Sequence, residues 1–184
     1  MFLGCVEMDT ASIGQKRKKK SRLESVFQNE MRRSFLHFYP KCFYYKIPDG
    51  IRMGDWSSFI PPKPFDAFCS IDRINLAIEY KVHKVHTAWS LSALTESQLE
   101  GLESADKNAF YGFVLLNVRH GLGKVRVDKV YIIHISSVKR LMKNGVKSIK
   151  FDDLEKYKQL KKIKLTDDTV GWDVRELISC MVVN

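Results

Sequence analysis

Asp66, Glu79 and Lys81 have the residue types and spacing that could do chemistry. The runs Phe65–Ile71 and Ile74–Val82 read as two strands around Asp72-Arg73. In a hairpin symmetric about that pair, Ile71 opposes Ile74 and Asp66 opposes Glu79. Such neighbours lie roughly 4.5–5.5 Å apart at Cα. Two adjacent carboxylates repel unless a cation or a shared proton intervenes. A hard divalent ion takes oxygen ligands and keeps several waters, so two carboxylates suffice to hold one. Lys81 points the same way as Glu79, and its ammonium could orient a water or offset charge developing on a phosphate. A metal, an oriented water and a nearby cation meet the needs of phosphodiester hydrolysis. The competing reading is a surface hairpin whose Glu79 and Lys81 pair casually.

Alternation fixes which face carries these groups. Phe65, Ala67, Cys69, Ile71, Ile74, Leu76, Ile78, Tyr80 and Val82 form one apolar face, expected to be buried. Pro64, Asp66, Phe68, Ser70, Asn75, Ala77, Glu79, Lys81 and His83 form the other, expected to face solvent. Asp-Arg is not a favoured two-residue turn, and a four-residue loop of the same symmetry fits equally.

Other elements must position this hairpin. Ser21-Arg22-Leu23-Glu24 has the capping-box spacing, and Leu23, Val26, Phe27, Met31, Phe35 and Phe38 follow on one helical face until Pro40. Residues 41–47 read as a short strand, and 51–63 as irregular. Thr95-Glu96-Ser97-Gln98 opens a second helix. Gly112–Val118 suits a central strand, Val125–Ile135 a returning one, and Ser136-Ser137 caps a short helix ending at Gly145. The remainder, with Lys156, Lys158, Lys161, Lys162 and Lys164, reads as a basic helical segment. The order predicts an α/β (α+β) domain with a mixed sheet over 21–184, behind a basic arm over 1–20.

Pro64-Phe65-Asp66, twelve residues, then Glu79-Tyr80-Lys81 resembles the PD-(D/E)XK nuclease signature. The surroundings are similar to the RecU-type and archaeal Hjc-type Holliday-junction resolvases. That family has a Glu on its first helix, matched by Glu24, and a Gln opening the next helix after the core, matched by Gln98. Trp89-Ser90-Leu91, Phe110–Val118 and Lys147–Leu154 resemble its later segments. The resemblance implies a restriction-endonuclease-like mixed central β-sheet flanked by helices. It also implies a homodimer that nicks four-way DNA junctions symmetrically with Mg²⁺ or Mn²⁺. Glu24, Asp66, Glu79, Lys81 and Gln98 would be the catalytic set, with Asp66, Glu79, Glu24 and the Tyr80 carbonyl as metal ligands. The family's Thr two positions before the Asp is Pro64 here, and the segment before Pro64 is short for a full RecU stalk.

Glu24 also reads as the reciprocal half of a capping box with Ser21, and Gln98 as that of Thr95. Phe68 on the polar face would be covered by the helix bearing Glu24. Trp89 reads as an anchor for its loop, with base stacking as the sharper alternative.

The 184 residues carry 31 Lys+Arg against 21 Asp+Glu, a net charge of +10 that favours an anionic partner. Lys16, Arg17, Lys18, Lys19 and Lys20 would lie along phosphates, where neutralisation releases counterions, or form a solvated tail. His83, Lys84 and His86 are expected at DNA; the two histidines lack further soft ligands for a zinc site. No apolar run approaches a transmembrane span, and no secretory leader is evident. Basic stretches without an adjoining amphipathic face speak against a membrane surface. Cys5, Cys42, Cys69 and Cys180 lie far apart, consistent with a reducing cytoplasm. The partner expected is DNA rather than a small-molecule substrate. The alternatives are a restriction- or repair-type nuclease acting on duplex or flap DNA, and a basic DNA-binding protein without catalysis.

Overall fold

The computed structural model describes residues 22–48, 63–84, 88–120 and 127–181. The basic arm Lys16–Lys20, Ser21 and His86 lie outside them. Helix α1 (Arg22–Phe38) leads into strand β1 (Phe43–Lys46), followed by β2 (Ala67–Ile71), β3 (Ile74–His83) and β4 (Ala88–Ser90). A 3₁₀ turn then precedes α2 (Glu96–Lys107), β5 (Tyr111–His120), β6 (Val127–His134) and α3 (Ile135–Lys143). The chain continues through β7 (Ser148–Lys150), α4 (Phe151–Leu154), β8 (Gln159–Leu160), β9 (Lys162–Lys164), β10 (Val170–Trp172) and α5 (Arg175–Ser179).

Six strands form one sheet in the order β1-β2-β3-β5-β6-β8. β3 and β5 run parallel, Leu76 to His83 against Tyr111 to Val118, while the other neighbours are antiparallel. This is the mixed α/β sheet flanked by helices that the element order predicts. β5 occupies the centre, and its near-continuous apolar run is explained by burial on both faces.

The hairpin register is the expected one from Ala67↔Ile78 to Ile71↔Ile74. Its turn is the two-residue Asp72-Arg73, made possible by Asp72 entering the left-handed region at φ 53°, which Asp tolerates better than most residues. The apolar face of the hairpin packs on Phe27, Met31 and Phe35 of α1 and on Trp172, Val174 and Leu177 near α5.

The opposite face is not open to solvent. Phe65, Ala77, Val114 and Leu116 pack there with Leu102 of α2, Val138 of α3 and Leu154 of α4. Phe65 therefore belongs to this second layer, not to the first as strict alternation implies. Phe68 is covered by Phe65 and Phe110, with ring centroids 4.7 and 5.5 Å away. The helix bearing Glu24 does not cover it, because α1 packs on the other side of the sheet.

Two further expectations are corrected. The lysine-rich segment after Lys156 is mostly strand: β8 extends the main sheet, and β9 pairs antiparallel with β10. Leu160 and Leu165 are buried and Ile163 half-buried along it, whereas Lys162 and Lys164 point outward. Pairing partners far along the chain decide that alternation. Helix α3 is capped by His134, whose Nδ1 accepts from Ser136 N–H at 3.2 Å, so Ser136 and Ser137 lie inside it.

A buried polar network ties the first layer together. Arg119 donates to Glu30 and, at 3.0 Å, to Asp128, while Trp172 Nε1 reaches Glu30 at 3.1 Å. Trp172 N–H also donates to Ser34 at 2.8 Å. Among the described residues no helix is long and apolar enough to cross a membrane.

Candidate active site

At Asp66 the hairpin departs from regular pairing. Asp66 N–H donates to the carbonyl of Ile78 at 3.0 Å, although Ile78 already opposes Ala67. Two residues against one is the count of a β-bulge, which re-aims side chains and shifts the alternation by one. The phase shift accounts for Phe65 crossing to the second layer. It also turns the Asp66 carboxylate toward β3, where Oδ2 accepts the Tyr80 N–H at 2.9 Å. Oδ1 receives Lys63 Nζ at 2.7 Å.

Glu79 and Lys81 project from β3 toward α2. Lys81 Nζ lies 3.0 Å from Glu79 Oε1. Gln98 Nε2 donates to the same oxygen at 2.6 Å, and Gln98 Oε1 accepts from Lys81 Nζ at 3.1 Å. Gln98 Oε1 also accepts Thr95 N–H at 3.0 Å, completing the capping box of α2. Gln98 contacts Glu79 and Lys81 while it serves the capping box, because an amide carries both a donor and an acceptor.

The carboxylates are interior groups: Asp66 is 4% exposed and Glu79 1%. The solvent-facing surface expected for them is absent because α2 covers it. Lys63 and Lys81 form the rim, each with 17% of its side chain exposed. Burial first, and then the Asp66 charge, raise the Glu79 pKa to about 7, against the opposing pull of Lys81. Glu79 Oε2 is buried without a hydrogen-bond partner. A buried unpaired carboxylate oxygen is costly, and its needs suit a proton or a hard cation. Carboxylate oxygens are the donor type that Mg²⁺ or Mn²⁺ takes.

Glu24 stands half-buried in the first turn of α1. That helix meets β3 on the far face, where Phe27 packs edge-on against Tyr80 at 5.6 Å. Among the described residues no three His, Cys, Asp or Glu side chains are grouped closely enough to hold a metal, so a set of Glu24, Asp66 and Glu79 is not assembled. His83 continues the Glu79–Lys81 face; its ring lies 5.7 Å from Phe151, and burial lowers its pKa. Lys84 is exposed, and Trp89 is buried in the second layer, as an anchor would be.

Lys63 is the site neighbour that the motif does not contain. Its signal was the three-residue step to Asp66 in a segment held by Pro64. Gly101 is the second. A Cβ there would lie 2.4 Å from Pro64 Cβ and 2.7 Å from its carbonyl oxygen, so glycine lets α2 close onto the strand carrying Asp66.

No protein-family model matches the chain, and no curated protein matches it. Among solved structures it is similar to Hjc of Archaeoglobus fulgidus, a Holliday junction resolvase from an archaeal hyperthermophile. The identity is 14% over 68% of this chain and 85% of that one, with a TM-score of 0.40.

Proposed function

We propose that this chain is a metal-dependent endodeoxyribonuclease that acts on four-way DNA junctions. The observation that carries the reading is the buried Glu79 carboxylate, held by Lys81 and Gln98, with one oxygen unsatisfied beside Asp66. Casual surface pairing does not produce a carboxylate desolvated to that degree.

Asp66, Glu79 and the Tyr80 carbonyl would hold Mg²⁺ or Mn²⁺, which when bound supplies Lewis acidity and a water of lowered pKa. Lys81 sits at the rim, where its ammonium can hold a water in line or meet charge growing on the phosphate. Gln98 fixes the rotamer of Glu79, so that carboxylate needs little reorganisation. The net charge of +10 suits a polyanion, with the arm Lys16–Lys20 and His83, Lys84 and His86 as phosphate contacts. A two-fold homodimer would present two such sites to symmetry-related strands and give paired nicks. Cys42, Cys69 and Cys180 are free thiols, in keeping with a cytoplasmic setting.

The test is cleavage of labelled four-way, flap and duplex DNA with and without Mg²⁺. Paired nicks confined to the four-way substrate are expected, lost by at least about a hundredfold in Asp66→Asn or Glu79→Gln. Cleavage of duplex or flap alone would replace the junction reading with that of a repair or restriction nuclease. Salt-sensitive binding without product would leave a DNA-binding protein.

A further inference from the structure

Lys63 lies outside the D…ExK pattern, yet its Nζ is 2.7 Å from Asp66 Oδ1 with only 17% of its side chain exposed. The contact is held from both sides. Pro64 restricts the Lys63 backbone to extended conformations, and α2 closes onto Pro64 at Gly101. The ammonium is also near enough to Glu79 for its charge to favour that carboxylate's ionised form. Two carboxylates buried together thus have a lysine each, Lys63 on Asp66 and Lys81 on Glu79. Their chemistry differs: Lys81 is tethered to Gln98 as well as to Glu79, whereas Lys63 sits on Asp66 Oδ1, the oxygen that the Tyr80 N–H does not take.

We propose that Lys63 is a resident counter-ion that occupies the cation position at Asp66 and must be displaced for a divalent ion to bind. The proposal rests on the metal-dependent reading above. Without metal, Lys63 limits repulsion between the desolvated carboxylates of Asp66 and Glu79. On metal binding the ammonium leaves Asp66 and moves toward the mouth of the site. Metal affinity is thereby reduced by the cost of breaking the ion pair, and the metal-free site keeps its shape.

The test is calorimetric titration with Mg²⁺ alone, together with thermal unfolding in chelator and in Mg²⁺, for the full chain. Lys63→Met is expected to bind Mg²⁺ about tenfold more tightly, a difference of about 1.4 kcal/mol. It should unfold at lower temperature in chelator and gain more from Mg²⁺ than the wild type does. Lys63→Arg, which keeps the charge, should bind no more tightly than wild type. Lys63→Gln, which keeps a donor to Asp66 without charge, serves in place of Lys63→Met if the latter does not fold. Unchanged or weaker Mg²⁺ binding by the neutral variants overturns the proposal while leaving the nuclease reading intact. Absence of Mg²⁺ uptake by the wild type overturns the metal-dependent reading, and this proposal with it.

Discussion

Gln98 donates to Glu79 Oε1 at 2.6 Å while its own Oε1 accepts Thr95 N–H at 3.0 Å, so one amide both starts a helix and clamps the central carboxylate. Gln98→Glu keeps the cap acceptor but loses the donor and adds a charge beside Glu79. Gln98→Ala loses both functions. We expect Gln98→Ala to cost about 2–5 kcal/mol in denaturant unfolding, the sum of a cap and a hydrogen bond to a charged group. Gln98→Glu should show normal α2 helicity and weaken metal-dependent activity by about 10–100-fold. Wild-type activity in Gln98→Glu would show that the clamp is dispensable.

Glu79 supplies a pH signature. Its folded pKa of about 7 lies above its ordinary value of 4.5, so the folded protein binds that proton more tightly than the unfolded chain. The resulting stability is fully present below about pH 4.5, declines as pH rises through 7, and is gone above it. Glu79→Gln should abolish this decline and leave the metal-free protein about 1–3 kcal/mol more stable than wild type at pH 8. Mg²⁺ binding near pH 7 should release a proton in the wild type only. Calorimetry in buffers of different ionisation enthalpy measures that release. A flat stability profile in the wild type between pH 5 and 8 would contradict the assignment.

Gly101→Ala sets two effects against each other. Alanine gains about 1 kcal/mol in helix propensity, but its Cβ would meet the Pro64 carbonyl oxygen at 2.7 Å and Pro64 Cα at 2.9 Å. Backbone atoms cannot rotate away, so α2 must retreat, at a cost of about 1–3 kcal/mol. The helix carries Gln98 with it. We therefore expect Gly101→Ala to lower both melting temperature and activity, whereas Gly145→Ala should affect stability alone, through its φ of 76°.

Arg119 holds Glu30 of α1 against Asp128 of β6 inside the protein, with 5% of its side chain exposed. Arg119→Met removes the buried cation that faces Glu30 and should destabilise by about 3–5 kcal/mol. The double variant Arg119→Met/Glu30→Gln should recover part of that loss, read from denaturant midpoints at equal slope.

The residues of the hairpin determined its own pairing: alternation placed Ala67 against Ile78 and Ile71 against Ile74, because backbone pleat and side-chain period are local properties. The capping box at Thr95–Gln98 and the strand at Gly112–Val118 were legible for the same reason. Tertiary packing decided the rest. The bulge at Asp66, the transfer of Phe65 to the second layer and the burial of the carboxylates follow from α2 closing over a face whose polar residues suggested solvent. The basic segment after Lys156 became strand because its pairing partners, Val130 and Val170 among them, lie elsewhere in the chain. Cys42 and Cys69, distant in sequence, meet in the first layer of the core. Local periodicity specifies what a segment can become; long-range contacts select the face it buries and the charges it must bring along.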